Sequence, residues 1–478
     1  MRLSEKFMYD RVLASDADFN GRFFFGVLTT GIYCLPSCKA RKPLRENIRF
    51  FPSCEAARAA GLRPCRKCHP DDFARGADPI LESIETLVGE IRANPANFAD
   101  ARAIVRRSGF GTTRLFELFR QHYHTTPADL LMRARLALVR RQLVETDLPL
   151  ATVAANAGFD SLSVFHEHFR HDTGLSPTAF RALPGSRSFT LALPDDYSAD
   201  LLRRALARDP QSISERLAGD VFTAGIRLAD GSPVKLQLFI NVDSVEVSFE
   251  ASQSSAAVVV HAIVCGMLGL DQDTGGFVRF ARKLGFARLV KGREGLRIVQ
   301  KPSVFDGLLW AIIGQQINLP FARLLRRRLT ELAGTPLDEN LFALPTPADI
   351  ARLSSEQLLP LQFSRQKASY LIELSRRIVE GALDLRSLSA RSATHAERSL
   401  LAIRGLGPWS VNYVMMRSLG FADCVPYGDT GLTSGLHTLF ALETRPDVQA
   451  TRQLMNVFSP YRSLATAHLW QLAHTPSP

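Results

Sequence analysis

Two pairs of cysteines constrain this chain more than any other feature. Cys34 and Cys38 close the apolar run TTGIYC and the PSC that follows it, and Cys65 and Cys68 sit in GLRPCRKCHP. Five of the seven cysteines fall within the first 68 residues. Each pair can chelate one ion from a tight turn, and four thiolates complete the tetrahedral shell of Zn²⁺. A short segment can then fold around the metal instead of around a large apolar core. A purely structural staple is the plainer reading of four cysteines, and Cys54 or His69 could replace one of them. Cys54 stands alone in FFPSCEAARAA, at the expected start of a helix, and is left out of the ligand set.

Length and charge frame that site. At 478 residues the chain is too long for one core, and about three or four domains are expected. There is no apolar run of roughly 18 residues, and MRLSEKFMYDR lacks a signal-peptide core. The expected setting is the cytoplasm, in association with the nucleoid and not with a membrane. Disulfides are not expected there, which favours metal or thiol chemistry. A net charge of +11 points to a polyanionic partner, although many proteins share such a balance.

Residues 20 to 73 carry more than cysteine spacing. The segments TTGIYC-x-PSC-x-AR and GLRPC-x-x-C closely resemble the N-terminal zinc domain of the bacterial adaptive-response alkylation proteins. That resemblance implies one zinc ion on Cys34, Cys38, Cys65 and Cys68. It also implies that Cys34 is the acceptor, taking a methyl group irreversibly from a methylated DNA backbone phosphate. The chemistry suits a metal-held sulfur, because zinc keeps a thiolate ionised at neutral pH. Four thiolates outweigh the charge of Zn²⁺ and repel phosphate, so losing one negative charge by methylation should tighten DNA binding. Arg41, Lys42, Arg45 and Arg49 are expected to face the phosphates; singly, each reads equally well as a solvated surface charge.

Between residues 79 and 184 the helical pattern contains a duplication. LFELFRQHYHTTPADL matches VFHEHFRHDTGLSPTAF, with Phe119 and Phe169, Arg120 and Arg170, and Pro127 and Pro177 each 50 residues apart. Each copy reads as a short helix, a Gly-Phe turn and a second amphipathic helix, the helix-turn-helix layout. Phe165 and Phe169 belong to its core. The pair resembles the arabinose-operon-regulator type of DNA-binding domain. By that resemblance the second helices, near 111–120 and 161–171, lie in successive major grooves. Residues 101 to 141 hold nine arginines against Glu117 and Asp129, as a phosphate-binding face requires.

From about 188 the texture changes. VFTAGIRL, VKLQLFIN and SVEVSFE, separated by ADGS and NVD, read as antiparallel strands. SAAVVVHAIVCGMLGL follows as a helix in which Cys265 is a small buried residue. From about 300 the pattern is helical throughout. Within it, LLAIRGLGPWSVNYVMMRSLG breaks at Gly405-Leu406-Gly407 and restarts near Pro408, a good first helical position. Two glycines let the backbone approach another group, and N–H groups at a helix start suit a phosphate.

This hairpin, the FADCVPYGDTGL loop after it, FDGLLWAIIGQQIN and YRSLATAHLW together resemble the helix-hairpin-helix DNA glycosylases, in particular the 3-methyladenine DNA glycosylase II branch. The resemblance implies that Asp429 is the catalytic aspartate, with Asp423 as its rival and a helix N-cap as its plainer role. It implies a base pocket of Trp409, Tyr413 and Trp470, although each alone reads as core. DNA contacts are implied at Gly405, Gly407 and Gln316, and Gln316 stands where some relatives place an apolar wedge. Lyase relatives have a lysine at the position of Trp409, so a monofunctional hydrolase is expected. The four C-terminal cysteines of iron–sulfur branches are missing, so no such cluster is expected.

The expected architecture is multidomain. A small zinc-bound α+β domain (1–78) precedes an all-α double helix-turn-helix domain (79–184). An α+β antiparallel-sheet subdomain (188–299) and an all-α helix-hairpin-helix glycosylase domain (300–478) follow. The expected partners are alkylated double-stranded DNA, a promoter operator and RNA polymerase, and the expected state is a monomer. The competing reading is a methylation-sensing transcriptional regulator whose glycosylase half only clamps DNA. No Pro-Cys-His-Arg motif for O6-methylguanine repair occurs.

Overall fold

A computed structural model describes residues 3–473, apart from 17, 18, 77, 252 and 254. The chain divides into two compact units, Met1–Val88 and Gly89–Pro478. In the first, β1 (Phe24–Val27), β2 (Ile32–Cys34), β3 (Ile48–Phe51) and β4 (Arg63–Pro64) form one sheet in the order β3-β1-β2-β4. Successive side chains of a strand alternate between faces. Phe23 and Phe25 therefore join Cys34, Cys38 and Cys65 in one small cluster, while Phe24, Tyr33 and Cys54 join another. Helix Cys54–Ala59 starts at Cys54 as expected, capped by Ser53, whose hydroxyl accepts the Ala56 N–H at 3.2 Å.

The second unit opens with the two helix-turn-helix copies. Ala101–Ser108 and Thr112–Tyr123 form the first, Leu150–Asn156 and Leu162–Thr173 the second, and Pro127–Glu145 links them. Thr126 and Ser176 cap helices whose first residue is Pro127 or Pro177, which explains why both prolines recur. Phe119, Phe165 and Phe169 are fully buried.

The next layer is a seven-stranded sheet. β5 (Ser188–Ala192), β6 (Glu215–Ala218), β7 (Val221–Arg227), β8 (Pro233–Ile240) and β9 (Ser244–Glu250) are joined by β10 (Thr335–Asp338) and β11 (Leu341–Ala343), in the order β10-β11-β7-β8-β9-β5 with β6 on β7. β7, β8 and β9 are the three expected strands, and they pair antiparallel. The β10–β11 hairpin interrupts a stretch expected to be helical throughout. Its strands are too short to show a period of two, and β11 touches β7 at Ala343 and Gly225. A Cβ on Gly225 would lie 2.3 Å from the Phe342 carbonyl oxygen, so glycine is what lets the hairpin close.

The second helix-turn-helix copy and this sheet share one apolar core, which runs from Leu136 through Phe169 and Phe180 to Leu191, Leu236 and Val260. A further core, from Phe277 to Leu472, holds the helical region around the hairpin helices Ala393–Leu401 and Pro408–Arg417. Among the described residues no helix is long and apolar enough to cross a membrane.

Candidate active site and metal centre

Strand β2 delivers Cys34, the turn after it delivers Cys38, and the segment after β4 delivers Cys65 and Cys68. Their four sulfurs lie within 4.8 Å of one another, with Cys38 and Cys65 at 4.0 Å. Zn–S bonds of about 2.3 Å in a tetrahedron separate sulfurs by about 3.8 Å, so the set fits zinc. Backbone N–H groups of Leu35 and Lys67 point at Cys68 and Cys65 at 3.3 and 3.4 Å.

Neither alternative ligand joins the group. Cys54 donates to the Pro70 carbonyl at 3.4 Å, and burial pushes its thiol up to about 12. His69 Nδ1 lies 3.3 Å from Asp72. Cys34 is 4% exposed, while Cys68 is partly exposed. Arg41 and Arg45 are exposed on the loop after Cys38, and the Arg45 guanidinium is engaged by Glu5 and lies 5.7 Å over Tyr9.

In the second unit Asp429 occupies the N-cap of helix Thr430–Phe440, its Oδ1 accepting the Leu432 N–H at 2.8 Å. The capping role is therefore real, and it is only part of what the carboxylate does. Trp470 Nε1 donates to Oδ1 at 2.8 Å and Trp409 Nε1 to Oδ2 at 3.1 Å. Three N–H donors and the positive end of a helix thus converge on one carboxylate. Trp409 stacks on Tyr413, with ring centroids 5.5 Å apart and planes 20° from parallel, so no slot opens between them.

These four residues line a cleft of ≈ 1710 Å³ that also takes in Gly405, Gly407 and Gln316. Gly405 has φ +92°, and a Cβ there would lie 2.3 Å from the Tyr370 ring; Gly407 faces open space. Gln315 Nε2 ties the hairpin down, donating to the Gly405 carbonyl at 2.7 Å and to Ser410 Oγ at 3.1 Å. Gln316 is exposed and left-handed, with φ +55°. Asp423, the rival, is buried elsewhere and fully engaged. Arg462 donates to both of its oxygens at 2.8 Å and Ser459 to Oδ2 at 2.9 Å. Burial raises this carboxyl, but the Arg462 hydrogen bonds more than offset it.

Sequence reasoning missed a charged wall of the same cleft. Arg326 donates to Glu215 at 3.1 Å, and Lys301 sits 5.8 Å over the Trp310 ring. Burial pushes Lys301 down to about 8; burial also opposes the Glu215 charge, yet Arg326 and Lys301 hold that carboxyl at about 2. Glu215 comes from β6, Lys301 from a loop and Arg326 from helix Leu319–Ala333, so no local motif announces them.

Comparison with known proteins bears on the domains in which these sites lie. Three family models match in order: the metal binding domain of Ada over residues 7–71, a helix-turn-helix domain over 104–183, and the HhH-GPD superfamily base excision DNA repair protein over 309–460. A DNA-3-methyladenine glycosylase of Bacillus subtilis is 31% identical across 43% of this chain and 69% of its own length. A probable bifunctional transcriptional activator/DNA repair enzyme AlkA of Mycobacterium tuberculosis is 26% identical across 98% of this chain and 96% of its own. The solved 3-methyladenine DNA-glycosylase of Archaeoglobus fulgidus shares the fold, with a TM-score of 0.54 and 20% identity over 61% of this chain and 100% of that one. The chain belongs to the DNA-3-methyladenine glycosylase family, and it carries an Ada-type metal-binding domain and a helix-turn-helix domain ahead of the glycosylase fold.

Proposed function

We propose that this protein repairs alkylated DNA by two reactions and regulates transcription through the domain between them. The observation that carries the reading is Asp429, a carboxylate facing a large cleft and held by two indole N–H groups. The damaged nucleotide is flipped into the cleft, where Trp409, Tyr413 and Trp470 meet the cationic base through their ring faces. An alkylated purine is already a good leaving group. Ionised Asp429 stabilises the oxocarbenium-like sugar and orients the attacking water. With Trp409 in place of a lysine, no Schiff base forms and the enzyme is monofunctional. Gly405 and Gly407 present backbone N–H groups to the DNA, and Gln316, exposed on the cleft lining, contacts the DNA where the base is flipped out.

In the first unit Cys34, Cys38, Cys65 and Cys68 hold a single zinc ion, which keeps the sulfurs as thiolates. The Cys34 sulfur attacks the methyl carbon of a methylphosphotriester; the carbon–oxygen bond breaks and a phosphodiester leaves. Arg41 and Arg45, exposed on the segment after Cys38, meet the DNA backbone. Methylated protein then binds its operator more tightly and recruits RNA polymerase, working as a monomer in the cytoplasm, on the nucleoid, with no iron–sulfur cluster. The test is release of 3-methyladenine from methylated DNA by the whole chain, together with peptide mass mapping after exposure to methylphosphotriester DNA. Free base and a single methyl on Cys34 are expected. No base release leaves the glycosylase half a DNA clamp, and a methyl on Cys38 or Cys54 overturns the acceptor.

A further inference from the structure

The two helix-turn-helix copies end their second helices on different residues. His124 and Gly174 stand at matching positions, and both are left-handed, with φ +52° and +68°. Glycine adopts that conformation freely, whereas a histidine adopts it at a cost. Such an outlier asks what the side chain gains. At Gly174 a side chain would be tightly placed: a Cβ would lie 3.1 Å from the Ala192 carbonyl oxygen, which belongs to the strand packed there. His124 instead sends its ring into the glycosylase region. Its Nδ1 accepts the backbone N–H of Asp423 at 3.2 Å and lies 3.9 Å from Cys424 Sγ. The ring also meets Phe421 edge-on, with centroids 5.6 Å apart. Nearby, His122 Nδ1 is 2.9 Å from Thr394 Oγ1.

Phe421, Asp423 and Cys424 are the head of the loop that ends at Asp429. From the other side that head is held by Arg462 and by Ser463 Oγ, which accepts the Cys424 N–H at 3.0 Å. Further along, Asn412 Oδ1 accepts the Val425 N–H at 3.1 Å. We infer that His124 is a positioning residue for Asp429, bracing the catalytic loop from the transcription-factor domain. The inference rests on the catalytic role proposed for Asp429. An amide N–H can only donate, so Nδ1 is the bare nitrogen of a neutral ring. Burial holds that ring neutral, down to about 4, against the pull of Asp423 and together with the repulsion of Arg462 and His122.

The test uses the full chain and its three tryptophans, of which Trp409 and Trp470 donate to Asp429 and Trp310 does not. His124→Gly removes the ring and relieves the backbone; His124→Asn restores an acceptor on a residue that tolerates the left-handed region. In ¹⁵N-tryptophan spectra, His124→Gly should move the Trp409 and Trp470 indole N–H signals and leave Trp310 in place. It should also lower kcat for base release about fivefold with KM unchanged, and His124→Asn should restore both. Unmoved indole signals in His124→Gly, or no recovery in His124→Asn, overturn the inference. A wild-type protein that releases no base refutes the proposed reaction, and the indole signals then decide the bracing by themselves.

Discussion

The four-cysteine centre and the Asp429 cleft are built on opposite plans. The cysteines lie between residues 34 and 68 of a small sheet whose two apolar clusters hold only a few side chains each. The cleft collects Glu215, Lys301, Gln315, Trp409, Asp429 and Trp470 from across a unit with two large cores. Where ligands hold a fold together, losing one loses the fold. Where a fold holds the site, losing one residue leaves the fold and takes only the chemistry.

The largest expected effect follows directly. Structural zinc contributes about 10–16 kcal/mol to the folding of small domains, as much as the whole stability of an ordinary one. Cys65→Ser should therefore leave the first unit unfolded, seen as loss of dispersed amide signals and rapid proteolysis of its segment. Base release should persist, because Gly89–Pro478 keeps its own cores. Loss of base release in Cys65→Ser would break the contrast.

Asp429→Asn is the counterpart in the cleft. Asparagine still caps the helix, so the melting temperature should change little. Charge stabilisation of the kind lost is worth about 3 kcal/mol, so base release should fall by about 100-fold. Asp423→Asn should do the reverse. It breaks a buried pair with Arg462, costing about 3–5 kcal/mol of stability, while in folded molecules the loosened loop head lowers base release only severalfold, far less than Asp429→Asn does. If the two variants exchange phenotypes, Asp423 is the catalytic carboxylate.

A smaller effect separates the two regions by pH. Glu215 sits at about 2 when folded, below its ordinary value of 4.5, so its contribution is present above the ordinary value. It is lost as pH falls from about 4.5 toward 2. All three tryptophans, Trp310, Trp409 and Trp470, lie in the second unit, so their fluorescence reports acid unfolding of that unit alone. Glu215→Gln should flatten the acid limb of that transition. An unchanged limb would mean that Arg326 holds a carboxylate no more ionised than in the unfolded chain.

Much of this was legible because it is local. Cysteine spacing, the 50-residue repeat, the three alternating strands and the glycine turn all depend on residues close together in the chain, whose backbone conformations limit what they can do. Asp429 was singled out through the resemblance carried by the segments around the hairpin, since local spacing alone reads it as a helix N-cap. The β10–β11 hairpin was not, because its few residues carry no period and its pairing with β7 depends on a distant glycine. Nor did position alone show how differently Asp423 and Asp429 are held. Arg462, the two indoles and the Leu432 N–H distinguish the carboxylates, and those partners meet them only in the folded chain.

The sequence by itself determined which chemistry this protein carries: clustered thiols, a duplicated DNA-binding helix pair, and a hairpin followed by an aspartate. Tertiary structure alone decided how these parts are joined. It fused the second helix-turn-helix copy into the core of the sheet, set Glu215, Lys301 and Arg326 along the cleft, and laid His124 against the loop that leads to Asp429. Covalent neighbours restrict one another through backbone geometry, which a sequence records directly. Groups hundreds of residues apart affect one another only through burial, hydrogen bonding and Coulomb forces at short range, and those distances exist only once the chain has folded.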